Sequence, residues 1–244
     1  MARFPHRLLQ PEMMDDPDCS PDEFRRGLRD LEKVNRLTLA YRPTLEFLAL
    51  AVRRMPAGIG RPNRPLRLLD VGGGFGDMLR VADRWAARRG IVLEMTSLDR
   101  SPAARLAGVA GAPTRQPIHW ITADLFTFRP ERPPDLVISS LFAHHLDDEA
   151  VMRFLFWMER HAAYGWFIND LHRHALPFHV FRWWSRLAGW HRFVQHDGPV
   201  SIGRGFTRAD WEGLLRQCEL SGVARIEWWM PFRWGVRRLR VPSR

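Results

Sequence analysis

The feature that most constrains this chain is the run Leu66-Arg67-Leu68-Leu69-Asp70-Val71-Gly72-Gly73-Gly74-Phe75-Gly76-Asp77. An apolar stretch ends in closely spaced glycines, and a helical pattern over 77–89 begins at once. A buried strand turning through glycines into a helix brings bare backbone against a ligand that a Cβ would exclude.

The rest of the chain supplies the sheet that such a turn requires. Apolar runs over 91–98, 118–123, 135–140 and 164–169 alternate with helical periodicity over 77–89, 101–110 and 147–161. That alternation implies an α/β fold with a doubly wound, Rossmann-like parallel sheet. The end differs: a helix over 207–219 precedes extended runs over 223–229 and 234–241, joined by Met230-Pro231-Phe232 as a β-hairpin. Upstream, Ser20-Pro21-Asp22-Glu23 is a capping box with proline at the first helical position. Leu28, Leu31, Val34, Leu37, Leu45 and Leu48 then recur at helical spacing, predicting one or two helices over 21–54. The Pro/Gly/Arg-rich stretch 55–65 separates an N-terminal helical cap (1–60) from the main domain (61–244).

Two ligand classes use a glycine turn of this kind. A dinucleotide site wants G-x-G-x-x-G, and counted from Gly72 the last position is Asp77, whose charge opposes pyrophosphate. S-adenosylmethionine carries no phosphate, and D-x-G-x-G-x-G from Asp70 fits it. Asp99 ends the second strand, beside Arg100, where a carboxylate can accept from both ribose hydroxyls. Asp124 follows the third strand, placed to accept from the adenine amino group with Leu125 and Phe126 against the ring. The expected cofactor contacts are therefore Asp70, Gly72, Gly73, Gly74, Gly76, Asp99, Arg100, Asp124, Leu125 and Ser140.

LLDVGGGFGDM, TSLDRSP, ITADLF and DLVISSLFAHHL resemble, in order, the motifs of class I S-adenosylmethionine-dependent methyltransferases, closest to the ubiquinone-biosynthesis-like, small-molecule branch. The resemblance covers about 64–170 well and the terminal hairpin in outline. It implies a seven-stranded sheet with an antiparallel last strand, and a site covered by the N-terminal helices and the segment 171–205.

Catalytic groups belong at the ends of the fourth and fifth strands, outside the carboxyl edge of the sheet. His144 and His145 follow strand four; Asn169 and Asp170 follow strand five. One histidine with Asp170 makes a base with its orienting carboxylate. The resemblance assigns that role to His144 and Asp170, as in some small-molecule O-methyltransferases, and leaves His145, Asn169, Arg173, Phe178 and Arg204 as substrate contacts. No N/D/S-P-P-aromatic turn for amino-directed nucleobase methylation follows strand four, no cysteine nucleophile lies near it, and serines stand where metal-dependent enzymes place an acid. No metal is expected, and the alternate histidines His172 and His174 are read as incidental. C-methylation of a similar ring and RNA modification remain the alternative activities.

Phe178, Phe181, Trp183, Trp184, Trp190 and Phe193 form the aromatic concentration of the chain, read as a helical roof over a flat or lipophilic acceptor. His196-Asp197-Gly198 and Arg204-Gly205-Phe206-Thr207 read as loop. Arg182, Arg186 and Arg192 are interleaved with the aromatics, which also fits an interfacial membrane contact. The net charge of +10 raises nucleic acid as a partner, but Lys33 is the only lysine and the arginines are scattered rather than patterned on a face. Neither a membrane-spanning run nor a signal core occurs, and Cys19 and Cys218 form no disulfide framework, so a cytoplasmic enzyme is expected.

Overall fold

The computed structural model describes residues 5–15 and 20–240; Cys19 and Val241 lie outside the described residues. Helix α1 (Pro21–Leu37) starts where the serine cap requires it, with the Glu23 N–H donating to Ser20 Oγ at 3.3 Å. After a turn in which Leu39 takes φ +53°, α2 (Arg42–Arg54) leads into the alternating region. That region runs β1 (Leu66–Val71), α3 (Asp77–Ala87), β2 (Leu93–Asp99), α4 (Pro102–Val109), β3 (Ile118–Thr122), β4 (Leu136–Ser140), α5 (Asp148–His161) and β5 (Gly165–Leu171). Two helices follow, α6 (Ala175–Leu187) and α7 (Arg192–Arg204). Helix α8 (Arg208–Gln217) and the hairpin strands β6 (Arg225–Trp229) and β7 (Arg233–Leu239) complete the chain.

All strands join one seven-stranded sheet in the order β3-β2-β1-β4-β5-β7-β6. The first five are parallel, and β7 enters antiparallel to β5 with Ile168 opposite Val236. The order reverses between β1 and β4, which opens a crevice at their carboxyl ends. Continuous apolar runs in β1 and β4 follow from burial on both faces. One face packs Phe154 and Met158 of α5 and Trp211 of α8 against Trp166; the other packs Leu79 of α3 and Phe47 and Leu48 of α2 against Phe167. The Phe47 and Phe167 rings stack at 5.0 Å, so α2 shares a core with the sheet.

The segment around His196-Asp197-Gly198 is the interior of α7, not loop, even with Pro199 inside the helix. A Cβ on Gly198 would fall 2.0 Å from the Phe181 ring, so glycine here permits close approach of α6 and α7. Buried Phe193, Val194, Val200 and Ile202 hold the helix against its neighbours. Packing outweighs the propensity cost that made this stretch read as loop.

The fully buried Asp135 ties β4 to the chain before β1. It accepts from Arg64 Nη1 and Nη2 at 2.9 and 2.7 Å and from the Arg67 N–H at 2.8 Å. Asp135→Asn would weaken charge-assisted hydrogen bonds to two partly exposed arginines and is expected to cost about 2 kcal/mol, read as a lower denaturant midpoint at unchanged slope.

Candidate active site

The glycine turn sits at the crevice. Gly72 takes φ +69°, and a Cβ there would lie 2.5 Å from the Phe142 ring, so the turn after β1 and the turn after β4 are pressed together. Three carboxylates surround the turn. Asp70 is buried with Oδ1 unpartnered, and burial, reinforced by Asp77 and Asp99, holds its carboxyl well above the ordinary range. Asp77 opens α3 and accepts from Tyr41 Oη at 2.6 Å and Asn35 Nδ2 at 3.1 Å, tying α1 and the turn before α2 to the loop. Ser97 Oγ, beneath Gly73, is likewise buried and unpartnered. The cradle therefore offers spare acceptors and negative charge.

Asp99 accepts from the Gly74 N–H and the Ser101 N–H, each at 2.9 Å, which fixes its carboxylate at the end of β2. Gly73 and Gly76 lie in the same turn, and Arg100 is exposed beside it. Asp124 is exposed after β3, its Oδ1 held by the Phe126 N–H at 2.7 Å, with Leu125 buried next to it. Ser140 Oγ lies 3.3 Å from Thr44 Oγ1 of α2. The expected cofactor residues thus gather along the ends of β1, β2, β3 and β4. Trp120 escaped the sequence reading; its ring packs against Gly76 and Gly108 and walls the turn.

His144 and Asp170 meet as expected. His144 Nδ1 is 2.7 Å from Asp170 Oδ1, and the His144 backbone N–H donates to Asp170 Oδ2 at 3.1 Å. A partner not anticipated from sequence stands on the other side of the ring: Glu12 Oε1, 3.6 Å from His144 Nε2. Glu12 Oε2 also lies 3.8 Å from His145 Nε2, and Ser201 Oγ of α7 donates to Glu12 Oε1 at 2.7 Å. Burial works against the imidazolium, yet Asp170 and Glu12 outweigh it and raise His144 to about 9. Burial works equally against the Glu12 anion, and His144, His145 and Ser201 overcome it to hold that carboxyl below its ordinary value.

Glu12 belongs to a strap, residues 5–15, laid across the cleft. Arg7 anchors it, donating to the carbonyls of His144, Leu146 and Arg204 and pairing with Asp148 at 2.7 Å. The N–H groups of Met13 and Met14 donate to the two Asp197 carboxylate oxygens at 2.8 and 3.0 Å. His144 is only 2% exposed beneath this cover. Glu12, His144 and His145 are also donor types that hold divalent cations, all within 4.8 Å. At 3.6 and 3.8 Å the Glu12 carboxylate stands at ion-pair distance from both imidazoles.

Several expected substrate contacts have other work. Arg204 donates to the carbonyls of His144, His145 and Gln10 at 3.0, 3.0 and 2.9 Å, and so clamps the strap to the turn after β4. Arg173 is buried against the Gly205 carbonyl and Asp210 at 3.0 and 2.9 Å, which makes it a brace for α8. Asn169 Nδ2 donates to the Ala40 carbonyl at 2.7 Å while Oδ1 is buried without a partner. His145 is partly exposed with its ring 4.4 Å from that of His144, and Phe178 is half-buried on α6. Arg233 was missed: it is buried on β7, within electrostatic reach of Asp170 and Tyr41, donates to Thr38 Oγ1 at 3.2 Å, and has Nε and Nη1 unpartnered. Burial lowers its guanidinium to about 10.

The sequence matches no protein-family model and no curated protein. Among solved structures, the plantazolicin methyltransferase BpumL in complex with SAH aligns with a TM-score of 0.62 at 13% identity, over 90% of this chain and 96% of that one. This is the class I methyltransferase fold. Human N-acetylserotonin methyltransferase in complex with SAM aligns at 0.61 and 15% identity, over 91% of this chain and 57% of that chain. The citrinin polyketide synthase CMeT domain aligns at 0.55 and 14%, over 82% and 52%.

The charged cluster sets a pH dependence. His144 titrates at about 9 in the folded chain against an ordinary 6.5, so its stabilisation is complete below about pH 6.5 and disappears as pH rises through about 9. The thermal midpoint should fall across that window, and less steeply in Glu12→Gln. A midpoint equally flat in both proteins would mean that the protonated pair does not form.

Proposed function

We propose that this chain is an S-adenosylmethionine-dependent methyltransferase that methylates a hydroxyl of a small hydrophobic acceptor of phenolic, quinol or polyketide-like type, within the ubiquinone-biosynthesis-like branch. The observation that carries the cofactor is the ring of Asp70, Asp77 and Asp99 around the glycine turn, where burial and then its two neighbours push the Asp70 carboxyl well above its ordinary range. Such a cradle repels a pyrophosphate and favours a ligand bearing ammonium and sulfonium charges. Asp99 retains lone pairs for ribose hydroxyls, and the exposed Asp124 retains a carboxylate oxygen for the adenine amino group.

When bound, S-adenosylmethionine supplies an electrophilic methyl group. The chain must hold the acceptor oxygen in line with it and take the hydroxyl proton. His144 Nε2 is the atom for that proton, because Asp170 engages Nδ1 and stabilises the imidazolium that forms. Glu12 blocks Nε2 in the closed arrangement. Acceptor entry therefore requires the strap to withdraw, and the same movement removes a carboxylate that keeps the ring protonated. The buried Arg233, with two unpartnered donor atoms near Asp170, favours a hydroxyl acceptor, whose oxygen gains negative charge as its proton leaves, over a bare ring carbon. The reading invokes no metal; Glu12 is treated as the ion-pair partner of His144 and His145.

Calorimetry tests the cofactor. S-Adenosylmethionine and its demethylated product should bind and nicotinamide dinucleotides should not; the reverse pattern sinks the assignment. Asp99→Ala should weaken binding about 10- to 100-fold, the ~1.5–3 kcal/mol of hydrogen bonds to a charged acceptor. The base is tested separately: His144→Ala should lower turnover ~10²–10⁴-fold while cofactor affinity changes little. Near-full turnover in that variant would shift the reading to C-methylation or to an acceptor already ionised.

A further inference from the structure

Helix α6 turns its apolar side outward. Leu176, Val180, Trp183 and Leu187 recur three and four residues apart, on one stripe, and are exposed to 54%, 54%, 66% and 86%. Of its thirteen residues only Ser185 is buried. Trp184, on the edge of the stripe, is 36% exposed. A helix that packs one side on a domain ordinarily shows the opposite pattern.

We propose that α6 is an interfacial membrane helix whose outward stripe seats in the headgroup region of an anionic bilayer. Charge complementarity names the occupant. Arg182 and Arg186 flank the stripe, both are exposed, and neither has an ion-pair partner among the described residues. No Asp or Glu occurs between Asp170 and Asp197, while that stretch holds four arginines and five histidines. A second copy of the chain would set these arginines against their own kind across a twofold contact; anionic headgroups neutralise them. Tryptophan and leucine on the apolar side with arginine beside them is the composition that lies in the interface plane. No helix among the described residues is long and apolar enough to cross a membrane, so the contact is a surface one.

The surface continues past the helix. His174 caps α6 by accepting from the Leu176 N–H at 3.1 Å and stacks on Phe232 of the β6–β7 turn at 5.3 Å. The same hairpin exposes Met230 to 69% and Trp228 to 47%. On its other side α6 packs on α7, whose Ser201 and Arg204 hold Glu12 and the His144 carbonyl. A lipophilic molecule held in the bilayer would thus lie one helix layer from the catalytic turn.

The test uses the full chain and sedimented vesicles of phosphatidylglycerol and phosphatidylcholine in equal parts, with pure phosphatidylcholine as comparison. The wild type should bind the anionic vesicles, and at least about tenfold more weakly the neutral ones, as expected if each arginine contributes about 1 kcal/mol at a charged surface. W183S/L187S should lose about tenfold or more on anionic vesicles. R182E/R186E should do the same, and by leaving the apolar stripe intact it keeps the proposal testable if the first variant folds poorly. No binding by the wild type, or wild-type binding by R182E/R186E, overturns the proposal. So does a wild-type dimer that W183S/L187S converts to monomer with vesicle binding unchanged. Cofactor calorimetry on the same samples reports the methyltransferase reading independently, so either can fail without the other.

Discussion

A single carboxylate at the end of β5 organises the carboxyl edge of the sheet around the turn after β4. Asp170 is fully buried and engages the His144 ring, the His144 backbone N–H and the Leu171 N–H. It thereby fixes the turn after β4 to the adjacent strand and aims the imidazole at the same time. Burial alone would favour its neutral form, but the imidazole and the two backbone donors keep it below its ordinary value. A buried anion satisfied this completely leaves the ring beside it little freedom to reorient.

The cover over this pair is fastened by backbone recognition. Arg7 and Arg204, from opposite ends of the chain, both donate to the His144 carbonyl, and each reaches a further carbonyl in the same turn. Two open cavities of about 320 and 410 Å³ beside Trp85 and Arg89 are lined by neither His144 nor Asp170, although Tyr41, which donates to Asp77, borders the larger. Accessibility at His144 is thus a property of the strap rather than of the sheet.

The framework was legible because it is written locally. Strand and helix periods, the glycines of 72–76 and the positions of Asp99, Asp124, His144 and Asp170 at strand ends need only the rule that ligands gather at carboxyl edges. Glu12 and Arg233 were not legible. Each depends on a segment distant in sequence being folded onto the cleft, and no local pattern marks a lone glutamate after Pro11 or an arginine opening a hairpin strand as buried. The internal partners of Arg173 and Arg204 were not legible for a related reason: in a chain this rich in arginine, residue type does not reveal which guanidinium clamps carbonyls. Helix α7 was hidden by Gly198 and Pro199, whose local preferences are overruled by the close packing that the glycine itself permits.

The link between Asp77 and the N-terminal helices bears on how such a fold can change over time. Class I sheets are often imagined as a fixed engine with an exchangeable front end. Here Tyr41 and Asn35 bond to the first residue of α3, and Phe47 stacks on Phe167 of the interior strand β5. An exchange of the front end would have to replace those bonds and that ring together. The strap and the outer face of α6 carry none of those bonds, so changes there leave the joint between the N-terminal helices and the sheet intact.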